Sequence, residues 1–111
     1  MKVRDKLLIV HHLIHKPRNK PEAQFKAFHL ANPRIYRELV RLARDLKLKG
    51  HQRYGISGLF EVIRWHRHME TTDPQFKLSN NHKPYYARLI MAREKDLNGF
   101  FQLNRLLRRK P

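Results

Sequence analysis

The sequence predicts a mostly α-helical domain of four or five helices, helix-turn-helix-like, with room for a short two-stranded β wing. Three observations predict it. Residues recur at the spacing of one helical face in three stretches: Ile35, Leu39, Leu42 and Leu46; then Leu59, Val62, Ile63, His66 and Met69; then Tyr86, Leu89, Ile90 and Leu97. Turn-forming residues bound those stretches, with Pro33, Gly50, Pro74, Pro84 and Gly99 at their edges. Two short runs, Gln75–Leu78 and Phe100–Leu103, are candidate strands for the wing.

Residues 1–20 read as a basic N-terminal arm and residues 21–111 as a single helical domain. In the arm Val3, Leu7, Val10 and Ile14 are helix-spaced, with a strand over Leu7–His11 as the alternative. Lys16-Pro17-Arg18-Asn19-Lys20-Pro21 breaks that pattern as a stiff, charged linker. Pro21 suits the first turn of a short helix over Glu22–Ala31, with Glu22 favourably near its N-terminus and Phe25, Phe28 and His29 on one face. Asn32-Pro33 is a restart signal, an N-cap followed by proline at the first helical position. The next helix is expected from Pro33 to about Lys49, ending on Gly50, with its core seam widened by Tyr36, Val40 and Ala43.

His51-Gln52-Arg53-Tyr54 is a polar connection into the central helix, for which Ser57 is the expected N-cap. Phe60 and the single tryptophan, Trp65, flank its buried stripe, while Arg64, Arg67 and His68 point elsewhere. Glu70-Thr71-Thr72-Asp73-Pro74 ends that helix, because proline cannot continue it. Ser79-Asn80-Asn81-His82 is a second cap cluster, opening a last helix that runs from His82 or Lys83 to about Leu97 and stops at Asn98-Gly99. Arg105–Lys110 is a basic tail.

Charge narrows the function. The 111 residues hold 25 Lys and Arg against 9 Asp and Glu, a formal charge of +16. Solubility in a small domain asks for a magnitude of only about 2–8. Self-repulsion at this density destabilises a compact chain unless a polyanion screens it, so the expected partner is nucleic acid, with duplex DNA foremost. The chain lacks cysteine, which removes disulfides and thiolate metal sites and fits a reducing cytoplasm. Leu7–Val10 is the longest apolar run of the opening segment, too short to span a bilayer, and no membrane association is expected.

Two basic surfaces are candidates for the DNA contact. Arg34, Arg37, Arg41 and Arg44 repeat along one ridge with few interleaved acids, as a phosphate-facing stripe would. Asn80, Asn81, His82, Lys83, Tyr85 and Arg88 open the last helix, where base and phosphate contacts concentrate in a recognition helix. The turn before it is much longer than the three or four residues of the simple motif, hence the winged variant. His66 and His68 with Glu61, Glu70 and Asp73 are weaker candidates for a metal or nuclease site, because His66 and His68 face different directions on a helix. No cofactor, metal or catalytic residue is therefore expected. Single-strand binding would use Tyr54, Trp65, Tyr85, Phe100 and Phe101, most of which sit at core spacing. The alternatives to a non-catalytic DNA-binding protein are a nucleic-acid-processing enzyme or its accessory subunit, and a protein docking on an acidic protein. A homodimer is compatible with all of these.

Ala31-Asn32-Pro33, Leu42-Ala43-Arg44, Gly55-Ile56, Phe60–His66, Phe76–Asn81, Tyr86–Leu89 and Gly99-Phe100-Phe101 together resemble small basic proteins encoded by bacteriophages and mobile elements. The resemblance spans about residues 31–103. It implies a phage-related protein working in a bacterial cytoplasm and carries over no activity and no site residue.

Overall fold

Residues 17–70 and 76–101 are described by the computed structural model, so the expectations for residues 1–16, for Thr71–Gln75 and for the chain after Phe101 lie outside the described residues. Four α-helices and two 3-10 turns make up most of what is described: α1 (Lys20–Ala31), α2 (Pro33–Leu48), α3 (Ile56–Glu70) and α4 (Lys83–Arg93), with 3-10 turns at Asn80–His82 and Lys95–Leu97.

Helix α1 begins two residues before its expected start. Asn19 is its N-cap, and its side chain accepts a 2.9 Å hydrogen bond from the Glu22 amide. Glu22 reaches back to accept from the Arg18 amide at 2.9 Å, so an Asn and a Glu three apart satisfy free amides at both sides of the helix start. That backbone hydrogen bond holds the Glu22 carboxyl below its usual range. Pro33 opens α2 as expected, but Asn32 does not cap it with its side chain. Its amide nitrogen instead donates to the Phe28 carbonyl at 3.0 Å and finishes α1. At the other end Gly50, with φ of +107°, closes α2: the Gly50 amide donates to the Lys47 carbonyl at 3.0 Å and the His51 amide to the Leu46 carbonyl at 3.1 Å. Only glycine adopts that backbone readily, and the two bonds satisfy carbonyls a helix end leaves free.

Helix α3 buries Leu59 and Ile63 of its expected stripe, but the buried face is rotated toward Ile56 and Phe60. Ile56, Leu59, Phe60 and Ile63 are buried, whereas Val62 and Met69 face solvent. Ser57 lies inside the helix rather than capping it. Gly58 is required by a close approach, since a Cβ there would meet the Tyr54 ring at 2.9 Å. Tyr54 in turn donates its amide to the Phe100 carbonyl at 3.0 Å and forms an isolated parallel bridge with Phe101. Phe100 and Phe101 are thus engaged by the α2–α3 connection. No strand forms among the described residues, and the expected wing partner Phe76–Leu78 is unpaired with them. The helix-turn-helix expectation also lacks its tight turn, because residues 71–82 separate α3 from α4.

The core gathers where α2, α3 and α4 meet. Leu39, Ala43, Phe60, Ile63, Tyr86 and Ile90 are fully buried there, closed below by Leu97, Phe100 and Phe101. Helix α1 adds one buried residue, Phe25, whose ring meets Tyr86 edge-on at 4.8 Å and stacks on Tyr85 at 5.4 Å. Helix α4 ends at Arg93, four residues before its expected end. Glu94 turns to extended backbone, which swings Glu94 and Asp96 back toward α2, and Leu97 enters the core from the following 3-10 turn. Among the described residues no helix is long and apolar enough to cross a membrane.

Candidate nucleic-acid interface

The arginine ridge of α2 is largely engaged within the fold. Arg44 donates from Nε to Asp96 Oδ2 at 2.8 Å, from Nη2 to Asp96 Oδ1 at 3.0 Å and from Nη2 to Glu94 Oε1 at 2.9 Å. The Tyr36 hydroxyl donates to the second Glu94 oxygen at 2.8 Å, Lys47 donates to the Asp96 carbonyl, and the Arg93 guanidinium lies over the Tyr36 ring at 4.8 Å. This is a latch between α2 and the turn after α4, and it engages Arg44 within the fold. Its partners lie about fifty residues away in sequence, where no local spacing rule reaches. Arg41 pairs with Asp45 at 3.3 Å and Arg34 with Glu70 at 3.4 Å, all four side chains more than half exposed. Exposed pairs of this kind contribute about 0–1 kcal/mol, little enough for a phosphate to displace the carboxylate. Arg37 makes no ion pair among the described residues.

The latch makes a prediction. Arg44→Gln is expected to lower stability by about 1–2 kcal/mol, at the low end for charge-assisted hydrogen bonds because Arg44 is 46% exposed and water screens it. Hydrogen bonding from Arg44 holds the Asp96 carboxyl below its usual 3.8. A carboxyl with a depressed folded value stabilises above its unfolded value and loses that contribution as pH falls through the folded one. Urea unfolding should therefore show the full gap between variant and parent at pH 7, closing as pH drops below about 3.8.

The opening of α4 divides into three parts. Asn80 and Asn81 are exposed, with Ser79 Oγ accepting from the Asn81 amide at 3.1 Å. Lys83 and Arg64 each lie 5.8 Å from the Phe60 ring centre, on a shared aromatic platform. Tyr85 and Arg88 turn toward α1, with the Arg88 guanidinium 5.4 Å from the Tyr85 ring. His82 departs from expectation: it is 6% exposed, with its ring 4.9 Å from Phe28 and 6.0 Å from Phe25. It packs in the aromatic cluster with Phe25 and Phe28. Burial pushes its imidazole below the usual 6.5. Unfolding below that value takes up a proton that the folded state resists, so stability is expected to fall as pH drops below about 6.5. Thermal melts at pH 7.5 and 5.5 should differ less for His82→Phe than for the parent.

Beside Asn80 the structure forms a pocket of about 390 Å³, lined by Arg64, Arg67, His68, Phe76, Lys77, Leu78 and Ser79. Arg64 is fixed by three acceptors, Glu61 at 2.5 Å, the Leu78 carbonyl at 2.6 Å and Asn80 Oδ1 at 2.5 Å. Arg67 lies over the Phe76 ring at 4.5 Å, and its Nε is buried without a hydrogen-bond partner among the described residues. Glu70 Oε1 stands between Arg67 at 3.8 Å and Arg34 at 3.4 Å, which joins the first arginine of the α2 ridge to the pocket rim. Arg64, Arg67, His68 and Lys77 were absent from the expected contact set. The signal for three of them was present, because Arg64, Arg67 and His68 are spaced i, i+3, i+4 along one edge of α3. His66, the other histidine of α3, has Nδ1 3.8 Å from Glu38 rather than meeting Glu70, and no group of three or more potential metal ligands comes together among the described residues. No family model matches this chain, and neither a curated protein nor a solved structure is significantly similar to it.

Proposed function

We propose that this chain binds nucleic acid, duplex DNA foremost, without catalysing a reaction, and that the contact is the basic face around the end of α3 and the start of α4. The observation that carries this reading is how charge is divided along α2. At its C-terminal end Asp45, Glu94 and Asp96 answer Arg41 and Arg44. At its N-terminal end, Arg34 shares Glu70 with Arg67, which lines the pocket with Arg64 and Lys77, and Lys83 shares the Phe60 ring with Arg64; only Glu61 and Glu70 form ion pairs with any of these five among the described residues. Arg34 and Arg44 are ten residues apart on one helix, about 15 Å, which separates the neutralised end from the basic one. Asn80, Asn81 and Lys83 from the original recognition-helix set belong to this face; Arg44 and His82 do not.

Five cations facing phosphate predict a salt dependence. Log affinity falls by about 0.9 per phosphate neutralised for each tenfold rise in salt, so binding should weaken roughly 10²–10³-fold between 50 and 200 mM salt. A gel shift on a duplex of arbitrary sequence tests it. Binding that is absent at 50 mM, or unchanged at 200 mM, overturns the reading.

A further inference from the structure

We infer that the pocket and the exposed Trp65 ring beside it hold an unpaired stretch of nucleic acid, one nucleotide in the pocket and the next base stacked on the indole. This rests on the nucleic-acid reading above and specifies the form of strand the site takes.

The pocket first. Its 390 Å³ falls at the low end of the range of about 300–1,000 Å³ found for small-molecule sites, and far exceeds one phosphate group. A duplex presents its phosphates on a smooth cylinder and keeps its bases stacked inside. It fills such a recess only by giving up a nucleotide from the stack, whereas an unpaired strand enters without that cost. The walls match the two halves of a nucleotide. Arg64, Arg67 and Lys77 offer charge to the phosphate, and Phe76 and Leu78 offer an apolar surface to the base. Lys77 is exposed and makes no hydrogen bond or ion pair among the described residues, which leaves its ammonium open to a phosphate.

The rim second. Helix α3 leaves Val62 37%, Trp65 60% and Met69 69% exposed, and their i, i+3, i+7 spacing places them on one face. His68 lines the pocket and stands three residues from Trp65, which makes the two side chains neighbours on the helix surface. A chain of net charge +16 disfavours a second copy of itself on this stripe. A nucleobase brings an apolar ring face tethered to negative charge, which suits an apolar strip bordered by cations. Stacking on an aromatic side chain is tolerant of base identity.

The test uses the full chain and its own tryptophan. Trp65 is the only one, so quenching of its emission reports stacking at this position alone. Three titrants are compared: a flush-ended duplex, the same duplex with a five-nucleotide single-stranded overhang, and inorganic phosphate. The overhang duplex is expected to bind about tenfold more tightly than the flush one and to quench the emission. Flush duplex and phosphate should leave the emission unchanged. Trp65→Ala should remove the preference for the overhang, and Trp65→Phe should retain most of it; since the side chain is exposed, both variants should keep the parent's far-ultraviolet circular dichroism. Equal affinity for the two duplexes, or an overhang complex with unquenched emission, overturns this inference while leaving the duplex reading intact. Failure of every DNA to bind overturns both.

Discussion

Replacing Arg67 and Lys77 together by glutamate is expected to weaken binding to any duplex by about 10²–10³-fold at 50 mM salt, and to flatten the salt dependence by about two phosphate contacts. Both side chains line the same pocket. Arg67 is held by weak interactions, a 3.8 Å approach to Glu70 and the face of Phe76, and Lys77 has no partner among the described residues. Lys77 therefore carries little folding energy, and a parent-like far-ultraviolet circular dichroism spectrum for the double variant assigns the loss to binding. The control is Lys49→Glu with Lys95→Glu, which alters net charge by the same amount at the opposite end of α2. Lys49 follows the last turn of α2 and Lys95 adjoins the Asp96 latch, far from the pocket. If binding follows total charge, both double variants fall equally and the proposed face is wrong. If it follows the face, only the first falls. Fluorescence anisotropy with a labelled duplex at four salt concentrations separates the two outcomes.

What the sequence shows of this fold is mainly its punctuation. Pro33 and Gly50 mark the ends of α2 because each acts through its own backbone: proline with its fixed φ, glycine with its free left-handed region. The long-range partners are invisible by the same logic. Arg44 looks like one of four equivalent arginines until Glu94, fifty residues on, breaks out of α4 and turns back to meet it. The stripe of α3 is right at Leu59 and Ile63 and wrong at Val62 and Met69, because those two fit a helical period as well as Ile56 and Phe60 do. Which of two overlapping stripes is buried depends on what packs against the helix, and α2 and α4 choose the side carrying Phe60. His82 is polar and sits in a cap cluster, so it reads as surface. The aromatic pair Phe25 and Phe28, more than fifty residues earlier, draws it inside. The candidate site was half legible. Asn80, Asn81 and Lys83 adjoin the pocket in sequence and are legible as a cap cluster and helix start, whereas Arg67 and Lys77, ten residues apart on different segments, line one pocket only through the packing of Phe76–Ser79 beside the end of α3.

Phe25→Ala is expected to cost about 3–5 kcal/mol, the range for removing a buried phenylalanine from a packed core. For a domain whose whole stability is of order 5–15 kcal/mol, that is a melting-temperature drop of roughly 12–30 °C at about 4–6 °C per kcal/mol. The reason lies in how α1 is attached. Phe25 is 1% exposed and is the only buried residue α1 contributes, with Phe28 and His29 half-buried beside it. Its ring meets Tyr86 at 4.8 Å, Tyr85 at 5.4 Å and His82 at 6.0 Å, so it joins α1 both to α4 and to the 3-10 turn that leads into it. Losing it should free α1 before the rest. In native-state hydrogen exchange the amides of residues 24–31 should then exchange through an opening several kcal/mol cheaper than the global unfolding that exposes α2, whose core rests on Leu39 and Ala43 against other partners. The effect should also reach the pocket. Leu78 and Asn80 are held from one side by Arg64 and from the other by the turn whose His82 packs under Phe25 and Phe28. Phe25→Ala should therefore weaken DNA binding several-fold even at temperatures where the variant remains folded, whereas Phe25→Leu, which keeps most of the apolar volume, should recover most of both stability and binding. A variant that melts like the parent would show that α1 is anchored by something other than this ring.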